Sequence, residues 1–232
     1  MLGTIDGLIL GVILFVGGHF VLSSRPIRDP LAESVGEQRF LALYSVLMLA
    51  ALVWTILAYG AAPFLPVWEP GPLTRWVPNI LMPFAVITLV AGLTTRSPTA
   101  VGGETVAREP NAVKGILTIT RHPFLWGVGL WGVGHLAANG DLASIVLFGG
   151  VTVLAFAGMP ALDAKMHRKM EAAWGPIVLT TSILPFRAVI ERRVVLGLAG
   201  IGWWRVLLGL AVWAALYGGH AFYAGVWPHP GF

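Results

Sequence analysis

The sequence predicts an all-α fold, a polytopic membrane helix bundle of about six transmembrane helices with a re-entrant or interfacial segment between spans five and six. Three observations predict it. The 232 residues are 56% hydrophobic and only 11% charged, with a mean hydropathy of +0.79, where soluble domains carry about 25% charged residues. Several apolar runs approach the roughly 20 residues that a helix needs to cross about 30 Å of hydrocarbon, without the alternation of shorter β-barrel spans. The basic residues, finally, gather in alternate segments between those runs, as the positive-inside rule expects of cytoplasmic loops.

Span one is expected over about 2–22. Its opening MLGTIDGLIL lacks the basic start and small-residue cleavage site of a signal peptide and reads as the beginning of the span. His19 lies near its end, and Ser23, Ser24, Arg25 and Pro26 mark the exit into water, since proline disfavours helix in the residue before it. Span two is expected over about 40–59, after a charged, amphipathic stretch at 33–39. Its far end opens into a segment rich in Pro and Trp, suited to headgroup depth. Span three covers about 79–95, with Pro83 one turn in.

A polar loop over 96–120 leads to span four, about 123–138. The Asn139-Gly140-Asp141 turn then reverses the chain, with Gly140 expected at positive φ and Asp141 expected to cap span five. Span five runs to about Leu162. After it, IVLTTSILPF is too short to cross and ends in Pro185, and VVLGLAGIGWW has about eleven apolar residues; both read as interfacial or re-entrant. Span six is expected over about 206–226. In this parse fourteen of the fifteen Lys and Arg residues fall on one side, Arg75 alone on the other. The expectation is a bacterial inner (cytoplasmic) membrane protein with three cytoplasmic loops and both termini outside. No repeat or low-complexity tract divides the chain, so 1–232 is expected to be one domain.

Composition also excludes chemistry. The absence of cysteine removes disulfides, thiolate ligands, covalent c-type haem attachment and thiol nucleophiles. The net charge of +4 is explained by membrane topology, not by nucleic acid, because the basic residues lie beside spans. No Ser-His-Asp arrangement, paired-carboxylate site or nucleotide loop is visible. The expected partners are the lipid bilayer and a hydrophobic small molecule.

Thr120 to Asp141 is the stretch where chemistry is sought. Arg121 and His122 stand at the start of span four and suit an anion at the positive end of a helix dipole, or, as the bland reading, a snorkelling arginine. His135, thirteen residues on, lies on the nearly opposite face about 20 Å away, so it and His122 cannot share one metal. Its expected depth in the membrane points to function. Histidines near helix ends more often bond across helices. His19 is the other histidine on the cytoplasmic side of a span, and His220 on span six is the remaining intramembrane candidate. His167 and His229 read as loop residues. Gly127, Gly129, Gly132 and Gly134 project from several sides of span four, marking a central helix or leaving room for a flat cofactor. Asp163 either orients a histidine or caps a helix end.

Taken together, GHFVLSSRPIR, GEQRFLALYS, ITRHPFLWG, LWGVGHLAANGD and the run from Asp163 through TSILPF resemble, in order and over nearly the whole chain, the NnrU-domain membrane proteins. The resemblance implies a relation to the plant and cyanobacterial 15-cis-zeta-carotene isomerases and an association of bacterial members with denitrification. For the isomerase branch it implies haem b held by histidine, redox-dependent ligation and isomerisation of a cis double bond in a carotenoid-like substrate. The ligand positions there match His19 and His135. If helix tilt or a break does not bring these two to one depth, the alternatives are His19 with His122, or a single protein ligand. Arg121, His122, Pro123 and Gly127 are also similar to the motif with which isoprenylcysteine and phospholipid methyltransferases help bind S-adenosylmethionine, though their paired downstream glutamates are not evident. A third reading is a non-enzymatic accessory protein of denitrification or respiratory metabolism.

Overall fold

The computed structural model describes residues 2–100 and 102–229. Among these the chain is helical, with one isolated β-bridge, Pro66 to Asp141. We label the helices α1 (Ile5–Ser23), α2 (Arg25–Val35), α3 (Glu37–Ala61), α4 (Pro72–Thr94), α5 (Pro123–Ala138), α6 (Leu142–Met170), α7 (Trp174–Thr180) and α8 (Trp203–Ala224). Five stretches, namely α1, α3, α4, α6 with α7, and α8, are long and apolar enough to cross a membrane. α5 supplies the sixth pass with only 16 residues, about 24 Å of rise. Leu43, Val46, Leu49 and Ile56 of α3 are each more than half exposed, an outer surface that hydrocarbon accommodates and water does not.

Local chemistry explains most boundaries. Thr4 caps α1, its hydroxyl accepting from the Gly7 amide at 3.1 Å. Within α1 the turn Ile13–Gly17 is π-wound, and the helix continues through it to Ser23. α2, which the sequence showed only as a charged stretch, starts with Pro26 in its first turn and stops at Gly36 (φ 87°). α4 begins at Pro72, seven residues earlier than expected, because proline is tolerated in a first turn.

α5 is the middle helix. Gly127 and Gly134 let it approach α4 at Leu89 and Pro78, while Gly129 and Gly132 let it approach α6 at Phe156 and Thr152. These glycines are filled by neighbouring protein on both faces, so they mark helix packing rather than room for a cofactor. α8 packs on the other side of α4, and α1 pairs with α3 beside α6.

At the 139–141 turn Asp141 caps α6 as expected, its carboxylate accepting from Ser144 N at 3.0 Å. Gly140 does not take the expected positive φ. Glycine is required there for a different reason: the Trp68 carbonyl lies where a Cβ would stand, because Val67 and Trp68 both donate to the Gly140 carbonyl, at 2.7 and 3.0 Å.

Neither apolar piece after α6 crosses. The first forms α7, seven residues long, and the second a single turn, Leu198–Ile201, seated on the 3-10 turn Gly115–Thr118. α8 starts at Trp203, before the expected residue 206, once Gly202 (φ 73°) has redirected the chain. The segments holding fourteen of the fifteen basic residues thus share one end of the bundle, the basic end.

Candidate functional site

The stretch from Thr120 builds a buried polar cluster at the basic end. Pro123 opens α5, which leaves Arg121 and His122 in non-helical backbone just before it. Both faces of that backbone are held: the Arg121 amide donates to the Ser182 carbonyl at 3.0 Å, and the Thr99 hydroxyl donates to the Arg121 carbonyl at 3.0 Å. The side chains turn inward to Asp163 on α6. Arg121 Nε donates to its two carboxylate oxygens at 3.0 and 2.9 Å, and His122 Nε2 donates to Oδ1 at 2.8 Å. Arg121 is 8% and His122 2% exposed.

Asp163 therefore orients a histidine; it does not cap a helix end. Sequence reasoning gave it two equal roles, because its partners lie 41 and 42 positions away. The visible signal was a lone acid closing an apolar span, with an Arg-His pair in an otherwise unmatched position. Thr181, whose hydroxyl accepts from Arg121 Nη1 at 3.5 Å, completes the cluster.

The chain after α7 straps this cluster down. The Ile183 carbonyl accepts from Thr120 Oγ1 and from Trp126 Nε1, both at 2.8 Å, and Phe186 N donates to the Ile119 carbonyl at 2.9 Å. Arg193 Nη1 donates to the carbonyls of Val178, Leu179 and Thr181 at 3.0, 2.7 and 2.8 Å, closing the end of α7. Hydrogen bonds from Arg187 and then Arg193 hold the Glu191 carboxyl below its ordinary range. The guanidinium of Arg121 thus already faces a carboxylate beneath a strap, which is the position of a structural clasp.

The second constellation is at the opposite end. His135 lies in the last turn of α5, not deep within a long span as its place in the apolar run suggested, because α5 ends at Ala138. Its Nδ1 donates to the Trp131 carbonyl at 2.9 Å. The ring lies between Trp131 and Phe148, each with centroids 4.9 Å away. His220 of α8 faces it, the two imidazole centroids 6.3 Å apart and the planes 24° from parallel. Its Nδ1 donates to the Val226 carbonyl at 2.8 Å.

His19 is elsewhere. Its Nδ1 donates to the Phe15 carbonyl at 2.6 Å, and its ring contacts are Phe15 and Tyr44. Val12 packs on Gly150 and Thr152 on Gly132, so residues 12, 150 to 152 and 132 share a level. From that level His19 lies seven residues toward the basic end and His135 three toward the other, a rise of about 15 Å between them. The π-wound turn does not close this interval. His19 and His135 share no ring neighbour, nor is His19 among the partners of Arg121 and His122. No group of three or more His, Asp or Glu side chains suited to a metal occurs among the described residues.

A family model described as NnrU protein matches residues 7–228. No curated protein and no solved structure matches the chain.

Proposed function

Because the chain belongs to the NnrU protein family, we propose that it is a multi-pass membrane protein that binds haem b through His135 and acts in redox or isomerase-type chemistry on a lipophilic, carotenoid-like substrate. The observation that carries this reading is the state of the His135 ring. Its Nδ1 is committed to a backbone carbonyl, which fixes the tautomer and leaves the Nε2 lone pair for a metal, the usual arrangement of a ligating histidine. Trp131 and Phe148 wall the ring, the apolar surroundings that a flat macrocycle needs. When bound, the haem supplies an iron that exchanges one electron or polarises a bound double bond; the protein supplies the ligand, its orientation and a site open to lipid-soluble molecules.

The S-adenosylmethionine reading has weaker support. Its residues, Arg121 and His122, already share the Asp163 carboxylate, so an anionic ligand would have to displace a buried partner at considerable cost. The bacterial inner membrane, with the basic end cytoplasmic, remains the proposed location on the strength of the charge asymmetry. Extracted haem quantified against protein after haem-replete expression tests the reading: stoichiometric haem b is expected, and protein that purifies folded but colourless overturns it.

A further inference from the structure

Independently of the haem reading, we propose that a basic cleft at the end of α4 binds the phosphate headgroup of an anionic glycerophospholipid. Thr94, Thr95, Arg96, Lys114, Gly200 and Arg205 line it. Its volume of about 450 Å³ falls in the range of about 300–1,000 Å³ that small-ligand clefts occupy.

The backbone brings the cations together. Gly115 has φ 58°, and a Cβ at either Gly115 or Gly200 would collide with the backbone of the other. This close approach seats Lys114 against the turn Leu198–Ile201, which leads through Gly202 into α8 and so to Arg205. Arg205 then reaches across to the end of α4. Its Nε donates to Thr94 Oγ1 at 2.9 Å and its Nη2 to the Thr94 carbonyl at 3.0 Å, while Nη1 donates to the Ile201 carbonyl at 2.7 Å. The Trp204 ring steadies the guanidinium from the side, 4.5 Å from its central carbon.

All these partners are neutral. Closing the end of α4 explains the bonds to Thr94, yet it leaves the charge of Arg205 without a carboxylate, and each terminal nitrogen keeps a second N–H. Lys114 has no ion-pair partner among the described residues. Arg96 is paired, with Glu109 at 2.8 Å, but that pair is largely exposed and weakly held. The positive-inside rule accounts for basic residues at this end of the bundle. It does not account for their convergence on one cleft, where the fork of Arg205 suits the oxygens of a phosphate.

The surroundings favour a lipid over a free phosphate. Trp203 and Trp204, both exposed at the start of α8, place indole rings where headgroups lie. Leu93 beside Thr94 and Leu208 one turn beyond Arg205 are also exposed, so an apolar surface begins next to the cations. Acyl chains can cover that surface, and a free anion cannot. Basic pockets between membrane helices take anionic headgroups by this combination.

Native mass spectrometry of the full-length protein in detergent tests the proposal, with phosphatidylglycerol, cardiolipin and phosphatidylcholine as probes and inorganic phosphate as competitor. Saturable binding of the two anionic lipids is expected, with phosphatidylcholine much weaker. Lys114→Gln, at an exposed position, is expected to weaken anionic-lipid binding about fivefold, and Lys114→Gln with Arg205→Gln roughly 25-fold. Arg25→Gln, at the same end but outside the cleft, is expected to bind as wild type does. If the double variant fails to accumulate, Lys114→Gln alone decides. Equal binding of phosphatidylglycerol and phosphatidylcholine, or wild-type binding by Lys114→Gln, overturns the site. An Arg25→Gln that loses as much as Lys114→Gln overturns it as diffuse surface attraction, and displacement of lipid by millimolar phosphate overturns it as a free-anion site. His135→Ala is expected to keep the lipid, so this proposal and the haem reading fail separately.

Discussion

Arg121 and Asp163, 42 residues apart in the chain, meet in a bidentate ion pair at the foot of α5 and α6, and His122 adds a third hydrogen bond to the same carboxylate. With side chains 10% and 15% exposed, neither charge has water to fall back on. Asp163→Ala leaves a buried guanidinium unpaired and is expected to cost roughly 3–5 kcal/mol. Thermal unfolding in detergent checks this: a large drop in Tm is expected for Asp163→Ala, and a partial return in a double variant that also replaces Arg121 by Met. An unchanged Tm would show that the pair does not lock the strap.

The same pairing predicts the outcome for the methyl donor. Calorimetric titration of the purified protein with S-adenosylmethionine is expected to show no saturable heat. Saturable binding that weakens in an Arg121 variant would mean that the clasp opens to receive an anion.

Two glycines nine positions apart, Gly140 and Gly149, make a paired stability test. Gly140→Ala drives a Cβ into the Trp68 carbonyl, whereas at Gly149, inside α6, an added Cβ meets nothing within 4 Å. The first is expected to destabilise by more than about 2 kcal/mol, the second to be neutral or stabilise by up to about 1 kcal/mol. Equal effects at both sites would contradict the close approach at residue 140.

Much of the bundle was legible in the sequence because a bilayer imposes length and charge rules that act within one segment. The runs that became α1, α3, α4, α6 and α8 announce themselves by length and hydropathy. What the sequence hid depends on which helices are neighbours. His135 looked central in its apolar run and is one turn from a helix end, because α5 is only 16 residues long. Asp163 kept two possible roles until α6 was placed beside the start of α5. Gly140 was expected at positive φ and does not take it; what requires glycine there is the backbone of residue 68, 72 positions away and invisible to turn chemistry. His220 was recognisable as an intramembrane histidine, while its approach to His135 needed the packing of α8 on α4 and the turn at Gly225.

The charge asymmetry predicts sidedness. The chain has no cysteine, so single cysteines introduced at exposed positions report accessibility cleanly. Glu33→Cys and Arg192→Cys are expected to label from the cytoplasmic side only, and Glu69→Cys from the opposite side only. Labelling of residues 33 and 192 from different sides would mean that the segment between α6 and α8 crosses.

The central claim is that His135 holds a haem iron, and the optical spectrum of the purified full-length protein beside that of His135→Ala tests it most directly. The account predicts a Soret band in the wild type that is lost or converted to a high-spin form in the variant. Wild-type protein with no Soret band after haem-replete expression, or a band identical in His135→Ala, would contradict it.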